Sequence, residues 1–225
     1  MTAPTQPAAY HAAREAYMSV RRIVSTMLLD RPLGIETSRA VELDTFGLGT
    51  EDRVSYEPSG MLALRRMLDR HPLEPDDVFL DLGCGKGRAV LLAARRPFRR
   101  AIGVEVSPQL TDVARRNLDA CRPRLRCQDV SFVTADAASY EVPDDVTFVY
   151  LCNPFRGATF QAAVEALVAS VDRRPRRLHV SYYMPLEHDR LMATGRFRHV
   201  RTVSSWRPTR EWSRRAGMFE YEALS

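Results

Sequence analysis

Asp81-Leu82-Gly83-Cys84-Gly85-Lys86-Gly87-Arg88 is the stretch that decides the fold of this chain. It follows an apolar run, Val78–Leu82, that reads as a strand, and it opens a helical pattern, Arg88–Arg96. Glycines at such a junction permit a sharp turn and let a ligand approach the backbone closely. Outward from this turn, apolar runs alternate with helical patterns. The spacing predicts strands over Ala101–Val106, Ser131–Thr134, Val146–Leu151 and Leu178–Met184. It predicts helices over Pro108–Ala120, Thr159–Val171 and Leu186–Ala193. Two last strands, Phe197–Trp206 and Met218–Ala223, have only a polar linker between them and are expected to pair antiparallel. The expected fold is α/β, a doubly wound seven-stranded and mostly parallel sheet with an antiparallel last strand.

Before the glycine turn the pattern differs. A helix is expected from Tyr10 to about Leu29, stopped by Asp30-Arg31-Pro32-Leu33-Gly34. Residues 35–58 look irregular, and long ordered connections tend to be functional. A helix from Ser59, read as its N-cap, runs to Arg70. The division expected is a helical lid over residues 1–58 and a ligand-binding domain over 59–225.

Composition narrows the class. Of 225 residues, 45% are hydrophobic and 27% charged, as in ordinary globular proteins. No apolar run reaches the roughly 18 residues of a membrane span. The N-terminus lacks a basic segment followed by an apolar one, so no secretory signal is read and a cytoplasmic protein is expected. Cys84, Cys121, Cys127 and Cys152 form no CxxC pair or zinc-like spacing, and free thiols are expected. The net charge is +5, and Lys86 is the one lysine among 33 basic residues. The arginines are scattered in pairs such as Arg21-Arg22, Arg95-Arg96 and Arg214-Arg215, which reads as solvated surface and coding bias rather than a nucleic-acid footprint.

The residues at the strand ends narrow the ligand. A dinucleotide fingerprint needs glycine at its first, third and sixth positions, and Arg88 occupies the sixth. A phosphate loop fails too, because no GK[ST] follows. Asp81 would repel a pyrophosphate and suits a cationic ligand, such as the amino group of a methionine moiety. Glu105 ends the second strand, where a carboxylate accepts from ribose hydroxyls. Asp136 ends the third and can accept from an adenine amine, while Ala137 offers a backbone N–H to the ring.

Residues 78–140 resemble the first three motifs of class I, or seven-strand, S-adenosylmethionine-dependent methyltransferases with a Rossmann-like domain. Val146 to Arg156 resembles their fourth motif. Tyr56-Glu57-Pro58-Ser59 is similar to a cofactor-covering segment of the seven-strand histone-lysine methyltransferases, and residues 54–225 look like bacterial methyltransferase-domain proteins. The resemblance covers about three quarters of the chain and omits residues 1–50. It implies S-adenosylmethionine as cofactor, held by Tyr56, Ser59, Asp81, Gly83, Gly85, Gly87, Glu105, Val106, Asp136, Ala137 and Asn153. It places Asn153 beside the methyl donor. Amine-directed relatives often carry Asn-Pro-Pro-Tyr there; this chain has Asn153-Pro154-Phe155, which leaves the accepting atom open.

Methyl transfer needs alignment above all, since the donor is already activated. A hydroxyl or thiol acceptor would add a base. His11, His179 and His188 are the histidines considered, with His179 read as core. Asn153, Tyr182 and His188 are the expected catalytic residues. Tyr17, Phe155 and Tyr183 are expected at the acceptor; Tyr182 and Tyr183 must face opposite sides of their strand. Tyr10, His11, Tyr17 and Tyr56 mark the lid, and Trp206 could line the acceptor pocket or pack in the core. The N-terminal helix could instead cover a sheet edge or make homodimer contacts. The expected function is methylation of O or N on a small molecule, in a bacterial-type enzyme of specialised metabolism. The alternatives are a protein or RNA methyltransferase and a cofactor-binding protein without turnover.

Overall fold

The computed structural model describes residues 8–204 and 217–224. The expectations placed on Trp206, on the polar linker that follows it and on the side chains of Tyr10 and His11 fall outside the described residues.

Five strands run parallel: β1 (Val78–Leu82), β2 (Arg100–Glu105), β3 (Asp129–Thr134), β4 (Phe148–Leu151) and β5 (His179–Tyr183). β7 (Gly217–Ala223) lies antiparallel between β5 and β6 (Phe197–Ser204). The sheet order is β3-β2-β1-β4-β5-β7-β6. Every residue of β1, β4 and β5 is buried, which explains their unbroken apolar runs: both faces of a parallel sheet are covered. Chain direction along the sheet reverses between β1 and β4. In such sheets ligands bind beyond the strand carboxyl ends at that switch point.

The helices are α1 (Ala8–Ser25), α2 (Met61–Arg70), α3 (Arg88–Ala94), α4 (Pro108–Cys121), α5 (Gly157–Arg173) and α6 (His188–Ala193). α1 continues through a wider turn, Thr26–Asp30, and one more helical turn, Arg31–Leu33, before Gly34 stops it at φ 71°. Pro108 opens α4, and the Ser107 side chain caps it by accepting from the Leu110 N–H. The sequence reading of Ser59 as the cap of α2 is corrected: the cap position falls on Gly60, without a side-chain cap, and the Ser59 carbonyl accepts from Arg88.

Two apolar clusters cover the two sheet faces. One unites Leu29, Leu33 and Ile35 with Met61 and Leu64 of α2, Ala89 of α3, and Phe79 and Phe148 of the sheet. Residues from both sides of the boundary expected at 58 and 59 share this cluster. The other cluster packs α5 and α6 against β1, β4 and β5 through Phe160, Leu167, Leu191 and Tyr182. Beyond its buried end, α1 shows solvent an apolar stripe of Val20, Ile23, Val24, Met27 and Leu28. Among the described residues no helix is long and apolar enough to cross a membrane.

Candidate active site

A cleft opens at the carboxyl ends of β1 to β5. Its floor comes from Asp81 on β1 and Gly83 after it, Glu105 at the end of β2 and Val106 after it, Asp136 and Ala137 after β3, and Asn153 to Phe155 after β4. Residues 53–59 form one wall, and Arg14, Tyr17, Met18 and Arg21 of α1 form another. Counted out to open solvent it encloses about 1500 Å³.

The glycine turn earns its composition. Gly83, Gly85 and Gly87 all have φ between 53° and 83°. A Cβ on Gly83 would collide with Pro154, and one on Gly85 with the ring of Tyr56. Gly87 faces the Phe132 ring and Ala114 instead of the cleft, so its demand is helix–strand packing, a correction to its assignment as a ligand residue. Gly85 serves through its backbone, donating its N–H to Glu105 Oε2 at 2.8 Å.

Three carboxylates sit in three electrostatic states. Asp81 is 3% exposed, and its Oδ1 has no hydrogen-bond partner among the described residues. Burial, with Glu105 adding repulsion, pushes its carboxyl well above the ordinary range. Burial also raises Glu105, opposed by backbone donors; its oxygens accept from the N–H groups of Gly85 and Ser107. Each of those oxygens keeps a second lone pair for a ligand hydroxyl. Burial raises Asp136 as well, but the Ala138 N–H and the Arg53 guanidinium outweigh it and leave Asp136 low. Arg53 reaches Asp136 Oδ2 at 2.7 Å, a contact that the sequence reading missed.

Asn153 holds a left-handed φ of 47°, and Met184, just after β5, one of 53°. Strained non-glycine residues persist where their surroundings over-determine them, often at functional sites. Both line the cleft, and the Asn153 Oδ1 is buried without a hydrogen-bond partner among the described residues.

Tyr56 lies over the glycine turn. Its hydroxyl donates to the Thr37 carbonyl at 2.8 Å, and its backbone pairs with Val41. Arg88, where a dinucleotide site needs glycine, is 3% exposed. Its guanidinium donates to Thr37 Oγ1, the Ser59 carbonyl and Ser38 Oγ at 2.8–3.0 Å. Asp30 stands 3.7 Å away and accepts from the N–H groups of Thr37 and Ser38 and from the Thr37 hydroxyl. Arg88 thus ties the segment over the cleft to the helix that follows the glycine turn.

Tyr17, Phe155 and Tyr183 line the cleft, as do Tyr56 and Ser59. Tyr182 and His188 do not, which corrects their expected catalytic roles. Tyr182 is fully buried on the other sheet face, stacked on Phe160. His188 Nδ1 pairs with the Tyr221 hydroxyl at 2.8 Å within a ring cluster of His199 and Phe219. The sequence reading also missed Arg14 and Arg21. Their spacing with Tyr17 and Met18, at intervals of three and four, was the available signal for one helix face.

Comparisons with known proteins agree with this geometry. Residues 79–174 match the family described as methyltransferase domain. A protein-lysine N-methyltransferase of Saccharolobus islandicus is 36% identical over 67 residues, 29% of this chain and 42% of that protein. A trans-aconitate 2-methyltransferase of Methylobacterium radiotolerans is 41% identical over 75 residues, 33% of this chain and 25% of that protein. The chain thus spans less than half the length of either curated relative. A candidate RNA methyltransferase from Pyrococcus horikoshii shares the fold at a TM-score of 0.56 and 15% identity, over 90% of this chain and all of that one. With its glycine turn, its strand-end carboxylates and its seven-stranded sheet, the chain carries a match to the methyltransferase-domain family over residues 79–174.

Proposed function

We propose that the chain transfers a methyl group from S-adenosylmethionine to an O or N atom of a small-molecule acceptor. The observation that carries this reading is a pair of buried oxygens without a hydrogen-bond partner among the described residues, Asp81 Oδ1 and Asn153 Oδ1, at the ends of adjacent strands in one cleft. A buried carboxylate without a partner is costly unless a ligand completes it. Asp81 suits the ammonium of the cofactor, Glu105 the ribose hydroxyls, and Asp136 with Ala137 the adenine edge. When bound, the cofactor supplies an electrophilic methyl on a sulfonium. Asn153 Oδ1 then orients an N–H or O–H of the acceptor, and Tyr17, Phe155 and Tyr183 exclude water from it.

Among the described residues no histidine lines the cleft. Burial pushes the nearby Tyr150 and Cys152 groups up, which keeps them protonated. A neutral amine, which carries its own lone pair and an N–H for Asn153 Oδ1, is the acceptor that needs no such base. The relatives' two substrate classes keep protein lysine as the competing acceptor.

Calorimetry should show S-adenosylhomocysteine binding and NADH not binding. Glu105→Ala should weaken that binding; unchanged affinity removes the ribose assignment. Radiolabelled methyl transfer to small amines and carboxylic acids, against transfer to protein, separates the acceptor classes. Asn153→Ala should lower turnover more than cofactor affinity.

A further inference from the structure

Resting on that cofactor reading, we infer that Arg21 of α1 holds the carboxylate of the cofactor's amino-acid end, as the counterpart of Asp81 at its ammonium. The described contacts of the Arg21 guanidinium are few: Nη2 donates to the Pro58 carbonyl at 2.6 Å, and Nη1 meets the Met18 sulfur at 3.9 Å. Neither is an anion, so among the described residues most of its donors and its charge are left unanswered. The guanidinium borders the cleft, and a side chain on Gly60 would stand 3.7 Å from both Arg21 Nη2 and the Tyr183 hydroxyl.

Position argues for the ligand. Across the sheet, Asp136 follows β3, Glu105 ends β2, Asp81 lies on β1, Cys152 follows β4 and Tyr183 ends β5. Arg21 reaches the β5 side of this row, beside Tyr183. Cys152 feels both poles: Asp81 raises its thiol pKa and Arg21 lowers it. The row therefore reads adenine, ribose, ammonium, carboxylate. Cys152, which is hydrogen-bonded to Ser59 and Tyr150, is the neutral neighbour common to both charges. A negative and a positive pole with a neutral neighbour in common complement a zwitterionic α-amino acid, whose charges share one carbon. Arg14, two turns earlier on the same helix face, is left for the acceptor side.

The test is calorimetry on the wild-type chain, Arg21→Gln and Arg21→Lys, with three probes. S-adenosylhomocysteine carries the amino-acid end, and 5′-methylthioadenosine lacks it. Trans-aconitate, added to the S-adenosylhomocysteine complex, offers a carboxylate from the acceptor side. Charge-assisted hydrogen bonds of this kind are worth roughly 10- to 100-fold in affinity. Arg21→Gln should lose that factor for S-adenosylhomocysteine and none for methylthioadenosine, with Arg21→Lys intermediate. S-adenosylhomocysteine, and not methylthioadenosine, should also slow amide exchange in α1 of the wild type, and Arg21→Gln should abolish that protection. Equal affinity of wild type and Arg21→Gln for S-adenosylhomocysteine overturns the inference, as does a parallel loss for both nucleosides. Loss of trans-aconitate binding alone would give Arg21 to the acceptor and overturn it too. Failure of the wild type to bind either nucleoside would instead sink the cofactor reading beneath it.

Discussion

Arg88→Met tests whether the segment over the cleft is fastened by the buried cation. Methionine keeps an unbranched apolar stem in the same space but removes the charge and three hydrogen bonds. The Thr37 hydroxyl still has Asp30 to donate to, and the Ser38 hydroxyl can turn. The Ser59 carbonyl loses its donor, and an orphaned buried group costs about 1–3 kcal/mol. Asp30, 4% exposed, keeps three donors but loses the cation that answers its charge. Breaking a buried pair from one side costs about 3–5 kcal/mol, which includes such orphaned groups. Against a typical stability of about 5–15 kcal/mol the variant still folds. Urea unfolding should show a lower midpoint at constant slope. Combining it with Asp30→Asn should cost about 1–3 kcal/mol less than the two changes summed. A loss under about 1 kcal/mol, or strict additivity, would refute the reasoning.

Gly85→Ala combines a left-handed φ with a methyl driven into the Tyr56 ring, so thermal melts should show a loss of about 2–5 kcal/mol; adding Tyr56→Ala should recover the crowding part. Tyr182→Phe and His188→Gln should leave S-adenosylhomocysteine affinity and turnover within about twofold, because neither side chain lines the cleft; a tenfold drop in turnover would return that residue to the site. Burial, then the neighbouring His71, lowers His179 from 6.5 to about 4, so the folded state holds it neutral. The unfolded chain binds more protons in that window, so this contribution is present above pH 6.5 and fades as pH falls toward 4, by roughly 3 kcal/mol in all. His179→Phe should flatten that part of the acid stability curve in denaturant titrations.

That Asp81, Glu105 and Asp136 line one cleft was legible because the signal is local in sequence. Asp81, Glu105 and Asp136 each end a strand whose apolar run marks it, and a parallel sheet puts such ends side by side. The alternation of Tyr182 and Tyr183 was legible too, but not which of them faced the cleft. Both faces of β5 are buried, so hydrophobicity carries no sign of inside or outside. The arginines were illegible for a different reason. Thirty-two in one chain make each look like background, and the meaning of Arg21, Arg53 and Arg88 depends on partners 37, 83 and 50 residues away. Arg88 was read only for what it forbids. Its partners in the segment over the cleft emerge once residues 30–59 fold back on α3.

The Asp30–Arg88 junction bears on how such a domain can be diversified. Residues 1–58 lie outside the matched domain and supply one side of the cleft, so exchanging that part between homologues is one route to altering the cleft. Here the exchange would cut through a buried ion pair. A donor segment lacking the equivalents of Asp30, Thr37 and Ser38 would strand a charge beneath the glycine turn. Novelty in this lineage must then arrive either by point changes on the cleft-facing side of α1, or as a graft that carries its own answer to Arg88.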